Sequence, residues 1–219
     1  MKKTIIIFFL AFMLMTLDSN AQLEIHNIDK QSSFTGEYIK RIFKDSNGDL
    51  WFGDVTGNGV MKFDGDVWKN YSSFNGLPDN VTAIAEDHQG NMWFGAVDGA
   101  YRFDGISAAT KFSTLDGLPE NEIRDILVDH NGDIWFATFS GLTKYNGAAW
   151  TTYTTTDGLV SNYLNTLFED NMNRLWIGTH GGVSKMEGTF VNYTTSDGLP
   201  DNLVYSITQT HDSILWFGT

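Results

Sequence analysis

Five tryptophans, at positions 51, 93, 135, 176 and 216, recur along this chain about 41 residues apart, a period typical of repeated supersecondary units. Units of this kind bury their apolar surfaces against their neighbours in the array. The spacing therefore constrains the architecture before any single residue is considered.

Each copy surrounds its tryptophan with the same turn and strand signals. An Asp-x-x-Gly segment precedes the tryptophan, as at residues 87–90, and a small residue follows it two positions later, which is Ala137 in the third copy and glycine in the others. Period-2 alternation between the turn signals predicts four short strands per copy. In the second copy the predicted strands span residues 81–86, 92–97, 100–103 and 110–114. No helical periodicity is present, so the mature chain is predicted to be essentially all β.

The second strand of each copy indicates how the units are arranged. In the second copy Trp93 and Gly95 face one side of the strand, and Met92 and Phe94 face the other. Because both sides are apolar or small, we expect sheets stacked face to face, about 10 Å apart. Four-stranded antiparallel units stacked radially form a β-propeller. An open stack of β-units is the main alternative, although the short-period repeats of a β-solenoid are not seen.

The copies also predict the organisation of the chain. Complete propeller repeats are predicted at 38–80, 81–121, 122–162 and 163–202, followed by a partial repeat at 203–219. Residues 22–37 are predicted to form an N-terminal strand segment, in which Ile25 and Ile28 reproduce the spacing of a fourth strand. The fifth copy contains only two strands, so we expect an incomplete ring and a fragmentary chain, because uncovered strand edges are liabilities. A five-bladed ring with one incomplete blade is the alternative.

The first 21 residues differ in character from the repeats. Lys2 and Lys3 precede an apolar run at residues 4–17, and small and polar residues end at Ala21. This pattern predicts a signal peptide at 1–21, cleaved before Gln22, and hence a periplasmic or secreted protein. A retained membrane anchor is the alternative, but the run is shorter than the roughly 20 residues that span a bilayer. The mature chain is predicted not to span a membrane.

The composition argues against nucleic acid as a partner. The chain carries 14 Lys and Arg residues against 27 Asp and Glu residues, a formal net charge of −13, and it has no cysteine. Binding of phosphates requires a basic patch, which such a composition does not favour. Many of the aspartates lie in turns, where the side chain bonds to nearby backbone amides, so the acidity itself says little about a ligand.

The repeated string resembles the two-component regulator propeller repeat, found in the extracytoplasmic sensor regions of bacterial hybrid histidine kinases. The resemblance rests on segments such as LWIGT at 175–179 and DGLP at 197–200, and it covers effectively all of the mature chain. Departures are local: Asn173 and Ser213 occupy a loop glycine position, and Val160 replaces the proline.

This resemblance implies a non-catalytic sensing or binding module of a two-component regulator, with an unidentified ligand, an oligosaccharide being the favoured class. In such proteins an immunoglobulin-like module, a membrane helix and a histidine kinase typically follow the propeller. Similar repeats occur in exported proteins without a kinase. An exported protein–protein or secretion-associated scaffold is therefore one alternative, and a secreted propeller lyase or hydrolase is another.

No catalytic residue, cofactor or metal site is predicted. The chain lacks a Gly-x-Ser-x-Gly elbow, and the Asp-x-Asn-Gly-Asp turns lack the distal glutamate of a calcium loop. The recurring turn histidines, at 88, 130 and 211, are expected to be solvated rather than metal ligands. Residues that break the repeat are the better candidates for ligand contact, although none is assigned as a site; they are Arg102, His180, Lys185 and the insertion Gly57-Asn58.

Overall fold

The computed structural model describes residues 38–219. The predicted signal peptide at 1–21 and the predicted strand segment at 22–37, with Ile25 and Ile28, lie outside the described residues. Within residues 38–219, no helix has the length and apolar character needed to cross a membrane.

The described chain forms four four-stranded antiparallel sheets and one two-stranded sheet, and each sheet takes its strands in chain order. Sheet 1 contains β1 (Ile39–Lys44), β2 (Leu50–Asp54), β3 (Val60–Phe63) and β4 (Trp68–Tyr71). Sheet 2 contains β5 (Val81–Glu86), β6 (Met92–Ala96), β7 (Gly99–Phe103) and β8 (Thr110–Phe112). Sheet 3 contains β9 (Asp125–Val128), β10 (Ile134–Thr138), β11 (Gly141–Tyr145) and β12 (Trp150–Tyr153). Sheet 4 contains β13 (Leu164–Glu169), β14 (Leu175–Thr179), β15 (Val183–Glu187) and β16 (Thr189–Tyr193), and sheet 5 contains β17 (Ser206–Gln209) and β18 (Leu215–Gly218).

This arrangement confirms the predicted all-β propeller of four-stranded antiparallel blades. The ring of sheets is not closed within residues 38–219, as expected for an incomplete propeller. Three single 3-10 turns, at Ser73–Asn75, Thr155–Asp157 and Thr195–Asp197, were not predicted from the sequence. In the last two, a threonine accepts a hydrogen bond at the first turn and a left-handed glycine ends the helix, so the Thr-x-x-Asp-Gly pattern itself produces them.

Four apolar clusters join consecutive sheets, and a repeated tryptophan lies in each. Trp93 is 1% exposed and packs against Phe136 of sheet 3, with ring centroids 5.7 Å apart. Phe94, on the opposite face of the same strand, packs against Trp51 of sheet 1 at the same separation. The predicted two-faced burial of the second strand is therefore correct. Leucines of the Gly-Leu turns, such as Leu118, complete the clusters.

The small residue two positions after each tryptophan leaves room for the next sheet. A Cβ atom built on Gly95 would lie 2.7 Å from Cγ2 of Ile123, and one on Gly53 would lie 2.6 Å from Cγ1 of Val81. The third copy has Ala137 instead, and the residue of the next sheet is then Leu164, in the same buried cluster. Leucine has no methyl group on its Cβ. Leu164 therefore lacks the Cβ methyl group that Val81 and Ile123 carry at this position, which leaves room for the methyl group of Ala137.

The first strands of neighbouring sheets (β1, β5, β9, β13 and β17) lie against one another, and this places them at the propeller axis. Three of them carry a β-bulge near their start, where the register shifts between Ile39 and Arg41, between Val81 and Ala83, and between Leu164 and Thr166. A bulge leaves one residue outside the ladder and redirects its side chain. We call the end of the sheets where these strands begin the axial end.

Candidate functional site

The end of each sheet opposite the axial end is a uniform scaffold. In each of the four complete sheets the indole Nε1–H of the tryptophan donates to the aspartate six residues earlier, at 2.7 to 3.0 Å. The same carboxylate accepts backbone amides of its own turn, for example those of Gln89 and Asn91 at Asp87. Burial alone would raise the pKa of Asp87, but the hydrogen bonds from Trp93 and Asn91 outweigh it, so the pKa lies below its usual range.

The axial end, in contrast, differs from copy to copy. At the bulge position the five copies have Lys40, Thr82, Arg124, Asn165 and Tyr205. Two of these side chains donate to a backbone carbonyl of the next sheet: Thr82 to Ile123 at 2.5 Å, and Asn165 to Val204 at 2.9 Å. The two basic residues at this position, Lys40 and Arg124, make no such bond to a backbone carbonyl of the next sheet within residues 38–219.

A partly buried carboxylate connects three sheets at the axis. Asp125, on β9, accepts a hydrogen bond from Arg41 Nη2 of sheet 1 at 3.3 Å. Its other oxygen accepts from the hydroxyl of Thr166 at 3.1 Å and from the amide of Leu167 at 2.9 Å, both in sheet 4. Burial raises the pKa of Asp125, although Arg41 and these donors oppose the effect. All of its principal acceptor positions are engaged by the protein.

Two further basic residues lie beside this carboxylate. Lys40 has no hydrogen-bond or ion-pair partner within the described part of the chain. Exclusion of water by surrounding protein atoms lowers the pKa of Lys40, and the positive charges of Arg124 and Arg41 lower it further, while Glu122 and Asp125 oppose them. Arg124 donates from Nη1 to Glu122 at 3.1 Å. We call Lys40, Arg41, Glu122, Arg124 and Asp125 the axial cluster.

Three aromatic side chains border the axial cluster and form what we call the aromatic platform: Phe139, Tyr163 and His180. The ring centroids lie 5.4 to 5.8 Å apart, and the Tyr163 and His180 rings are stacked. The Arg124 guanidinium lies 4.6 Å from the centroid of the Phe139 ring, within the range of a cation–π interaction. Tyr163 is 55% exposed. The axial end thus combines charged donors with a flat apolar surface.

His180, one of the residues that break the repeat, lies at the axial end. Its backbone amide donates to the carbonyl of Tyr163 at 2.9 Å, and its Nε2 lies 3.2 Å from Oδ1 of Asn165. The Gly57-Asn58 insertion lies in the β2–β3 loop, at the same end of sheet 1, where Asp54 binds the amide of Thr56.

The prediction that Arg102 and Lys185 break the repeat is wrong, because both occupy a position that is basic in all four complete sheets. They pair across the sheet with Trp93 and Trp176, respectively, and Lys62 and Lys144 hold the same position beside the other two tryptophans. Lys185 lies 5.8 Å from the Trp176 ring centroid and bonds to Glu187. A basic residue opposite the tryptophan is therefore part of the scaffold.

The turn histidines are predicted to be solvated, but two of them contact the neighbouring sheet. His130 bonds to Glu169 of the next sheet through its backbone amide at 3.0 Å and its Nδ1 at 2.6 Å, and His88 lies against Gly132. Ser46 and Glu86 form the corresponding bond between sheets 1 and 2. In the described chain no three His, Asp or Glu side chains are grouped to hold a metal ion.

Sequence reasoning missed the axial cluster because β1 and β9 were treated as ordinary repeat strands. The signal is present in the sequence: the positions 10 and 11 residues before the repeated tryptophan differ in every copy, whereas their neighbours stay apolar. The pairs are Lys40-Arg41, Thr82-Ala83, Arg124-Asp125, Asn165-Thr166 and Tyr205-Ser206.

Solved structures with similar geometry come from several kinds of protein. The extracellular domain of the hybrid two-component system BT3049 from B. thetaiotaomicron is 25% identical, with a TM-score of 0.74; the match covers 82% of this chain and 26% of that domain. This chain thus spans about a quarter of that domain. PorZ, a surface component of the type-IX secretion system of Porphyromonas gingivalis, is 16% identical with a TM-score of 0.71, over 92% of this chain and 34% of PorZ. Virginiamycin B lyase from Staphylococcus aureus is 16% identical with a TM-score of 0.66, over 82% of this chain and 62% of the lyase.

At these lower identities, the likeness to PorZ and to the lyase shows the fold alone. No curated protein matches the chain in sequence. The sequence pattern of the two-component regulator propeller matches five segments, 33–56, 75–98, 117–140, 158–181 and 198–219, which together make up more than half of the chain. The chain therefore belongs to the two-component regulator propeller family.

Proposed function

We propose that this chain is an extracytoplasmic ligand-sensing module of a two-component regulator, and that the axial end is where the ligand binds. The observation that carries the proposal is the axial end itself: charged and aromatic residues that differ from copy to copy are gathered there on an otherwise repeated scaffold. Loops and strand ends held by a rigid scaffold are where binding residues concentrate. The likeness to the extracellular domain of a hybrid two-component system supports the sensor role.

An oligosaccharide is the ligand class that we propose. The aromatic platform presents the exposed Tyr163 ring, and amphipathic aromatic rings combine apolar contact with a polar group. The axial cluster adds several hydrogen-bond donors within one region. A mixed surface of flat rings and donors suits a ligand that has both apolar faces and hydroxyl groups.

The proposed role is non-catalytic. Asp125 is engaged by Arg41, Thr166 and Leu167, and one oxygen of Glu122 accepts from Arg124, so both carboxylates of the axial cluster already bind donors of the protein. Turnover of polysaccharides by the purified chain, lost on Glu122→Gln, would favour the secreted lyase or hydrolase instead. In the proposed regulator the chain lies in the periplasm or outside the cell, and a histidine kinase module acts downstream.

The proposal is tested by binding of the purified chain to an oligosaccharide array, followed by calorimetry on the oligosaccharides that bind. Tyr163→Ala is expected to weaken binding about tenfold or more, because it removes an exposed ring from the site. Ile106→Ala removes an exposed apolar side chain in the β7–β8 turn, at the opposite end of sheet 2, and serves as the control. Absence of binding across the array, with retention of a protein partner from the cell envelope instead, would favour the exported scaffold.

A further inference from the structure

The basic residues of the axial cluster are not fully paired. Asp125 engages Arg41, and Arg41 also donates from Nε to the carbonyl of Thr82 at 3.2 Å. Arg124 shares one nitrogen with Glu122, whose side chain is partly exposed. Lys40 has no partner within residues 38–219. The axial cluster therefore has three positive and two negative side chains, in a chain whose formal net charge is −13.

The guanidinium of Arg124 is fixed in place and can still donate further hydrogen bonds. The Phe139 ring supports its guanidinium at 4.6 Å, and Glu122 fixes Nη1. Its Nε is buried without a hydrogen-bond partner, and its Nη2 makes no hydrogen bond in the described chain. A guanidinium fixed by a ring and a carboxylate loses little rotational freedom when it binds one more acceptor.

The like charges of the axial cluster favour a negatively charged ligand group. Lys40 lies at the bulge of β1, Arg124 occupies the equivalent position just before the unbulged β9, and the Arg41–Asp125 bond connects those two sheets across the axis. Arg124 and Arg41 lower the pKa of Lys40, so the cations are close enough to repel one another. A negatively charged group between Lys40 and Arg124 would relieve this repulsion and form charge-assisted hydrogen bonds with both.

We infer that the axial cluster binds a carboxylate of the ligand through Lys40 and Arg124, with Tyr163 contacting the ring that bears it. This inference rests on the proposed function and specifies the ligand as an acidic sugar rather than a neutral one. Arg41 and Asp125 follow the two donors directly in sequence, and the ion pair between them connects the strands that carry these donors.

The test compares two probes with the same carbon skeleton, trigalacturonic acid and its methyl ester, by calorimetry with the purified chain at low salt. The acid is expected to bind about tenfold or more tightly than the ester, because only the acid forms the charge-assisted bonds. Lys40→Gln and Arg124→Gln should each weaken binding of the acid about tenfold and leave binding of the ester unchanged. Lys69→Gln, which removes an exposed lysine on the outer strand of sheet 1, is the control and should change neither.

Sodium acetate and sodium phosphate form a third arm, which separates a carboxylate on a sugar from a free anion. Competition by phosphate at the same concentration as the acid would overturn the inference in favour of a simple anion site. Equal binding of acid and ester would overturn the inference while leaving the proposed function intact. Absence of binding by either probe, together with an oligosaccharide array that is silent, would overturn both. Unchanged near-ultraviolet circular dichroism of each variant shows that a loss of binding is not a loss of fold.

Discussion

The two ends of each sheet differ in how constant their residues are from copy to copy. At the turn between the first two strands, all four complete sheets repeat one arrangement, an aspartate that accepts the indole N–H and the amides of its own turn. At the axial end the same strands carry a different pair of residues in every copy. Where one group must satisfy several buried donors, few substitutions are allowed, whereas a bulged residue accepts many side chains.

This difference separates what holds the propeller together from what it presents to a ligand. Changes at the turn end are expected to cost stability, and changes at the axial end are expected to alter binding.

The largest loss of stability is expected for Trp135→Ala. Trp135 is buried between sheets 3 and 4, and its Nε1 donates to Asp129 at 2.9 Å. Removing a buried tryptophan typically costs about 3 to 5 kcal/mol. Urea unfolding followed by circular dichroism measures the change. Trp216→Ala, at a repeat position that is 60% exposed, should cost less than about 0.5 kcal/mol.

The next effect concerns Asp87→Asn. The asparagine cannot accept all the donors that the carboxylate binds, so about 1 to 3 kcal/mol should be lost. Because the pKa of Asp87 is lowered in the fold, its stabilisation is complete above the unfolded pKa near 4 and is lost as the pH falls through the folded pKa. Thermal melting between neutral and acidic pH should therefore fall more steeply for the parent chain than for Asp87→Asn. Asp66→Asn, in an exposed turn, is the control, and a parallel pH profile for Asp87→Asn and the parent would contradict the assignment.

A loss of similar size is expected for Gly95→Ala, which would place a Cβ 2.7 Å from Cγ2 of Ile123. Overpacking of this kind costs about 1 to 3 kcal/mol. Adding Ile123→Leu should recover part of that loss, because it recreates the pairing of Ala137 with Leu164 in the next interface. The double-mutant cycle in urea measures the coupling, and simple additivity would show that the two positions do not compensate.

The smallest change in stability is expected for Lys40→Gln. Lys40 has no partner in the described chain, so its removal should alter the free energy of unfolding by less than about 0.5 kcal/mol. Urea unfolding in parallel with Trp135→Ala provides the comparison. A loss of more than about 1 kcal/mol would show that the axial end also contributes to the stability of the fold, and would contradict the separation of stability from binding.

Much of the fold could be predicted because the same strand and turn patterns recur in several copies along the chain. The strands of sheet 2 end within two residues of their predicted limits, and the two-faced burial of Trp93 and Phe94 follows from alternation alone. The axial cluster could not be predicted in the same way. Its residues come together only when sheets 1 and 3 are arranged around one axis, and the bulge that redirects Lys40 has no sequence signature of its own.

The misjudged residues follow the same reasoning. Cross-strand register shows that Arg102 and Lys185 continue a basic position opposite the tryptophan, which Lys62 and Lys144 hold in the other two complete sheets. Variation between copies must therefore be compared at equivalent ladder positions. The pair 10 and 11 residues before the tryptophan is then seen to be the variable one.

The bulge in the innermost strands has a consequence for how such proteins diverge after gene duplication. Each bulge adds one residue that is outside the hydrogen-bonded ladder, so that residue can be exchanged without a change in strand register. Successive copies of one ancestral unit can then acquire different residues at a shared axis while their interfaces stay the same. A new binding preference would need only a few codons, none of them in the core.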